Sequence, residues 1–211
     1  MPLPRPPFVY PILDAGALAG RSAADVARAL VGAGARLLQV RGKDLGSRAL
    51  CDVVAEVVAA AHAGGALVLV NDRPDVALVA GADGVHVGQG DLGAADVRRL
   101  LPPPFLVGLS THDVAQLRSA PAGVLDYVAI GPVYATRSKD APDPVVGLAG
   151  VAAARASTAL PLVAIGGITR RNAAAVIAAG ADAVAVISDL LGAPDPADAF
   201  RAMQSRIGAP R

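Results

Sequence analysis

Eight short apolar runs, each followed by a stretch of helical character, recur along the whole chain, and this alternation constrains the fold more than any other feature. The runs are Phe8–Leu13, Leu37–Arg41, Ala66–Val70, Gly84–Val87, Phe105–Leu109, Tyr127–Ile130, Leu162–Ile165 and Ala183–Ile187. Helical patterns lie between them at Ala23–Gly32, Ser47–His62, Pro74–Ala80, Ala94–Leu100, Asp113–Ser119, Leu148–Ala156, Asn172–Ala179 and Ala197–Ile207. The runs are β-branched and do not alternate apolar with polar, as expected of strands buried on both faces. Gly-Ala-Asp or Gly-Ala-X recurs before strands, starting at Gly34, Gly81 and Gly180. Each of these glycines is expected to cap the preceding helix and turn the chain. About eight βα units predict an α/β fold, a (β/α)8 TIM barrel, with residues 1–211 forming one domain. A doubly wound open sheet would carry a glycine-rich nucleotide turn after its first strand, and none follows Phe8–Asp14.

Composition narrows the function. Hydrophobic residues make up 54% of the chain and aromatic residues only 3%, so Ala, Val and Leu must fill the interior. A net charge of +1 supplies no basic field for nucleic acid. The single cysteine, Cys51, excludes an internal disulfide and a thiolate zinc cluster, and fits a small buried position on a helix. The proline-rich start, Met1 to Pro7, resembles neither a signal peptide nor an anchor. No apolar run approaches the roughly 20 residues a spanning helix needs. The expectation is a soluble cytoplasmic protein without a membrane partner, and homo-oligomerisation stays open.

In a barrel of this kind the chemistry lies at the C-terminal strand ends, and polar residues of this chain gather there. Gln39, Arg41 and Lys43 share a period of two and should face the mouth together, which suits an anionic, nitrogen-containing ligand. Asn71-Asp72 and Asp91 follow neighbouring strands. Two acids so placed could share a hard cation such as Mg²⁺, which usually serves a phosphate. Each could instead cap the helix that follows it. His86 has the context of a packed, hydrogen-bonded core residue more than of a ligand, and His112 suits capping or packing as well as catalysis. The stretch from about Gly131 to Gly147 has the length and polarity of a mobile loop over a site, and its Thr136, Ser138 and Lys139 could meet phosphate oxygens. Gly166-Gly167 after the seventh strand, and Ser188 opening a final helix after the eighth, form the usual phosphate cradle of such barrels.

Taken in order, these segments resemble thiamine phosphate synthase, also called thiamine-phosphate pyrophosphorylase, from about Phe8 to Leu191. The resemblance is carried by Gln39-Val40-Arg41-Gly42-Lys43, Asn71-Asp72, Gly84 to Asp91, Gly108 to His112, Gly131 to Lys139 and Ile165-Gly166-Gly167-Ile168. It implies a transferase joining a hydroxymethylpyrimidine diphosphate to a hydroxyethylthiazole phosphate. It also implies Mg²⁺ held on the diphosphate by Asp72 and Asp91, with Arg41, Lys43, Asn71 and Lys139 on the diphosphate oxygens. Gln39 and the Ser110 region would contact the pyrimidine, with Ser110 also near the departing oxygen. Thr136 and Ser138 would border both phosphate groups, and Gly167, Ile187 and Ser188 would offer backbone groups to the thiazole phosphate. Ser110, Lys139 and Arg41 are thus the expected catalytic residues.

The chain departs from that family's pattern at three points: Ser138 replaces a usual Thr, Gly42 a commonly acidic residue, and Leu13 a usual Thr. None removes an implied metal or phosphate ligand. A thiazole tautomerase on the same barrel would need no diphosphate site and could use His112 as its acid–base group. Both acids together with Lys43 and Lys139 argue against it, and also against a non-catalytic barrel that only binds thiamine phosphate.

Overall fold

The computed structural model describes residues 2–121, 123–136 and 143–208. Its strands are β1 (Phe8–Asp14), β2 (Leu37–Arg41), β3 (Leu67–Asn71), β4 (Gly84–Val87), β5 (Leu106–Thr111), β6 (Tyr127–Ile130), β7 (Leu162–Ile165) and β8 (Ala183–Val186). All pair in parallel in sequence order, and β8 pairs with β1 to close the barrel. The outer helices are α1 (Ala23–Gly32), α2 (Ser47–His62), α3 (Pro74–Val79), α4 (Ala94–Leu100), α5 (Val114–Ser119), α6 (Gly147–Ser157), α7 (Ala173–Ala178), α8 (Ser188–Leu191) and α9 (Pro196–Ile207). Gly34, Gly81 and Gly180 all take positive φ just past the ends of α1, α3 and α7, as the Gly-Ala repeat predicts.

Most boundaries fall within a residue or so of expectation, and two differences bear on the site. β5 runs on to Thr111, because Ser110 and Thr111 pair with Ala129 and Ile130 of β6. Ser110 therefore sits on a strand and not in a loop. Ser188 opens a one-turn helix of its own and not the final one. The chain breaks after α8 at Gly192-Ala193-Pro194, and Asp195 recaps it by accepting from Ala197 N at 2.8 Å and Asp198 N at 3.0 Å.

Strand parity divides the core in two. Phe8, Tyr10 and Ile12 of β1 point into the barrel, while Val9 and Leu13 pack against the helices. Gly108 of β5 stands opposite Tyr127 of β6, and a Cβ there would lie 2.1 Å from Tyr127 Cζ. Only glycine leaves room for that ring to lie across the interior.

At the N-terminal end of the barrel three aspartates fasten neighbouring strands by one device. Asp83 accepts from Val68 N, Asp126 from Val107 N and Asp182 from Leu162 N, at 2.7, 2.7 and 2.8 Å. Each also meets a side chain from a helix: His62 at 2.9 Å, Arg98 at 2.6 Å and Arg155 at 2.8 Å respectively. The aspartate of the Gly-Ala-Asp repeat is thus a strand clamp.

Candidate active site

A cavity of about 530 Å³ opens at the C-terminal ends of the strands. It is lined by Gln39, Arg41, Lys43, Asn71, Asp72, Asp91 and Ser110 on one side of the sequence, and by Thr136, Gly167, Ile187 and Ser188 on the other. Every expected site residue among those described therefore faces one space. Ser138 and Lys139 lie outside the described residues. Ile12, Ala129, Val163, Ile165 and Ala185 give the cavity an apolar patch among its polar groups.

Neither acid caps a helix. The cap positions of α3 and α4 are Arg73 and Gly93, and neither makes a side-chain cap bond. Asp72 adopts φ 63°, and its backbone N donates to His86 O at 2.8 Å. Asp91 Oδ2 accepts from Gly88 N at 2.7 Å, which folds the β4 loop back on itself. Burial, then the hydrogen bond and charge of Asp91, push the Asp72 carboxyl up to about 6, against a smaller pull from Lys43 and Asn71. Lys43 Nζ stands 3.6 Å from Asp72 Oδ2. Among the described residues no group of three or more His, Cys, Asp or Glu is placed to hold a metal. The donor set offered to a cation is therefore this carboxyl pair, which suits a hard ion completed by ligand oxygens.

Arg41 is not a free cation. Its guanidinium is hydrogen-bonded to Asp14 at the end of β1, and both side chains are largely buried. Asp14 Oδ1 also accepts from Gly16 N at 3.0 Å, closing the turn Ala15–Ala17. The carboxylate thus aims Arg41 and leaves the rest of its five donors for a ligand.

The loops after β6 and β7 meet closely. Gly166 and Gly167 take φ of 101° and 63°, and a Cβ on Gly167 would lie 2.5 Å from Ala135 O. This proximity explains the paired glycines. His112 also lines the cavity. Its Nδ1 lies 2.8 Å from Gly131 O and its Nε2 lies 3.4 Å from Asp143 Oδ2, while Asp113 supplies the α5 cap. His86 is buried with both ring nitrogens bonded, to Tyr127 Oη and Ser110 Oγ, each at 2.8 Å. Burial pushes its pKa down to about 4.

The sequence profile of the thiamine monophosphate synthase family matches residues 9–190. The chain belongs to the thiamine monophosphate synthase family. It is 48% identical over 199 residues to the thiamine-phosphate synthase of Methanoregula boonei, covering 94% of this chain and 92% of that protein. It is 47% identical over 201 residues to that of Methanoculleus marisnigri, covering 95% of each. Among solved structures, a thiamine phosphate pyrophosphorylase from Pyrococcus furiosus superposes with a TM-score of 0.85 at 30% identity, over 95% of each chain.

Within this family member, sequence reasoning missed Asp14, Tyr10 and Tyr127. Tyr10, Ile12 and Asp14 alternate along β1, so the parity that singled out Gln39 and Arg41 would also have turned Asp14 inward. Tyr10 and Tyr127 are two of only three tyrosines, and both sit in apolar strands where a hydroxyl needs a buried partner.

Proposed function

We propose that the chain, with residues 1–211 working as one domain, is a Mg²⁺-dependent thiamine phosphate synthase. It would join 4-amino-2-methyl-5-hydroxymethylpyrimidine diphosphate to 4-methyl-5-(2-hydroxyethyl)thiazole phosphate, or to its carboxylated form. The products would be thiamine phosphate and pyrophosphate, with carbon dioxide released as well from the carboxylated form. The observation that carries this reading is the crowded pair Asp72 and Asp91, set beside Lys43 and Arg41 in one cavity at the strand ends. A carboxyl raised to about 6 by burial and by a neighbouring acid would be relieved by a cation, and a cation between two acids suits phosphate.

Asp72 and Asp91 would hold Mg²⁺, which when bound neutralises charge on the departing diphosphate. Arg41, Lys43 and Asn71 would bind the same oxygens, with Asp14 keeping Arg41 in place. Lys139 completes that set in this proposal. Gln39 and Ser110 would orient the pyrimidine, and Thr136 and Ser138 would border both phosphate groups. Backbone at Gly167, Ile187 and Ser188 would receive the thiazole phosphate. The C–O bond at the pyrimidine methylene breaks with its electron pair leaving on the diphosphate. The amino-substituted ring delocalises the resulting cation, and the thiazole nitrogen donates its lone pair to the methylene. No strong base is required, so the protein's tasks are charge neutralisation, exclusion of water and alignment. A cytoplasmic location belongs to the same proposal and rests on the sequence reading.

The test is product formation from purified protein given both substrates and Mg²⁺. Thiamine phosphate and pyrophosphate in equal amounts support the synthase. Isomerisation of the thiazole carboxylate phosphate without pyrophosphate would move the assignment to a tautomerase, with His112 the first residue to substitute. Tight binding of thiamine phosphate without turnover would point to a sensor.

A further inference from the structure

A buried line of hydrogen bonds runs beneath the cavity and joins two of its walls. Gln39 Nε2 donates to Tyr10 Oη at 2.9 Å, and the hydroxyls of Tyr10 and Tyr127 lie 3.3 Å apart. Tyr127 Oη lies 2.8 Å from His86 Nδ1, and His86 Nε2 lies 2.8 Å from Ser110 Oγ. The four members from Gln39 to His86 are 8% exposed or less. The rings are packed as well as bonded: Tyr10 meets Tyr127 edge to face, and His86 stacks on Tyr127.

Each hydroxyl has one proton and a neutral imidazole has one N–H, so such a line has two self-consistent polarities. In one, Gln39 donates to Tyr10, Tyr10 to Tyr127, Tyr127 to His86 Nδ1, and His86 Nε2–H to Ser110. In the other every bond is reversed, and Gln39 must turn its carbonyl to Tyr10. The amide nitrogen on Tyr10 selects the first. We propose that Tyr10, Tyr127 and His86 are positioning residues, a one-way relay that fixes Gln39 Oε1 as an acceptor and the Ser110 hydroxyl as a donor toward the cavity. Alone, a glutamine or a serine turns to suit any ligand. Joined through the relay, neither turns unless all five groups reverse together or one is left buried and unpaired.

The pattern selects a ring that offers an amino N–H and a lone pair on a ring nitrogen. Replacing the amino group by an oxo group inverts both positions, since the oxygen accepts and the adjacent ring nitrogen carries a proton. The relay is thus a specificity device for the amino form of the pyrimidine. It rests on the proposed function, which places a pyrimidine here.

The experiment measures Kd for the aminopyrimidine methyl monophosphate and for its oxo counterpart, neither of which carries the diphosphate leaving group. Wild type, Tyr127→Phe and Tyr10→Phe are compared, with ¹⁵N NMR of His86 in the wild type. The wild type is expected to favour the amino ring by about tenfold or more. Both variants should bring the ratio close to one, and His86 should carry its proton on Nε2. A purely structural role would weaken both ligands alike and leave the ratio in place, which would overturn the relay. A proton on Nδ1 of His86 would overturn it too. If Tyr127→Phe does not fold, Tyr10→Phe and the NMR signature decide. Binding of neither ring by the wild type would overturn the proposed function itself, whereas binding of both without preference would overturn the relay alone.

Discussion

The acids at the two ends of the barrel are built to opposite rules. Asp83, Asp126 and Asp182, at the N-terminal end, each hold a strand amide and a cationic or imidazole side chain. Asp72 at the C-terminal end is crowded by Asp91, and burial together with that acid pushes its carboxyl up to about 6. The first set satisfies its charge within the fold and so contributes stability. The second leaves two acids crowded together, the kind of perturbation that gathers at functional sites. Asp14 stands between the two cases: it lies at the functional end, yet it is fully engaged with Arg41 and Gly16.

Four substitutions would break or sharpen this contrast. Asp72→Ala should lower turnover by about 10³-fold or more while leaving the melting temperature unchanged or raised, because it removes one of two crowded acids. A stability loss with turnover intact would erase the contrast. Asp126→Ala should do the reverse. It leaves Val107 N without its acceptor and takes the carboxylate from Arg98, which keeps its carbonyl partners, and should cost about 2–3 kcal/mol in urea unfolding, with kcat of the folded protein little changed. Asp14→Ala should raise KM for the diphosphate substrate about tenfold, since Arg41 loses its aim, and affect kcat less. An unchanged KM would show that Arg41 needs no orienting carboxylate. The smallest effect is expected for Asp182→Asn, about 1 kcal/mol of stability, because the amide oxygen can still accept from Leu162 N while the charge toward Arg155 is lost. A loss as large as that of Asp126→Ala would place the clamp's strength in the ion pair and not in the strand bond.

The barrel was legible because burial on both faces forces unalternating strands, and because glycine must end α1, α3 and α7 where φ turns positive. Asp72 and Asp91 were legible from their place after consecutive strands. Their alternative as helix caps failed on local structure, with Arg73 and Gly93 taking the cap positions. Ser110 lies just past Leu109, the expected end of the fifth apolar run, yet it pairs with Ala129, because the mouth of a barrel accepts a polar residue on the strand itself. What stayed hidden depends on contacts distant in sequence. Asp14 and Arg41 are 27 residues apart, Tyr10 and Gln39 29, and Tyr10 and Tyr127 117. Pattern reading assigns a residue to a face of its own strand, but it does not say which residue of another strand will meet it.

The central claim is that the Asp72–Asp91 pair holds a cation on a departing diphosphate. The most direct test is pyrophosphate release with both substrates, measured with Mg²⁺, after EDTA, and with Asp72→Ala. The account predicts release that EDTA abolishes, that added Mg²⁺ restores, and that Asp72→Ala lacks even at high Mg²⁺. Undiminished release in EDTA, or from the Asp72→Ala protein, would contradict it.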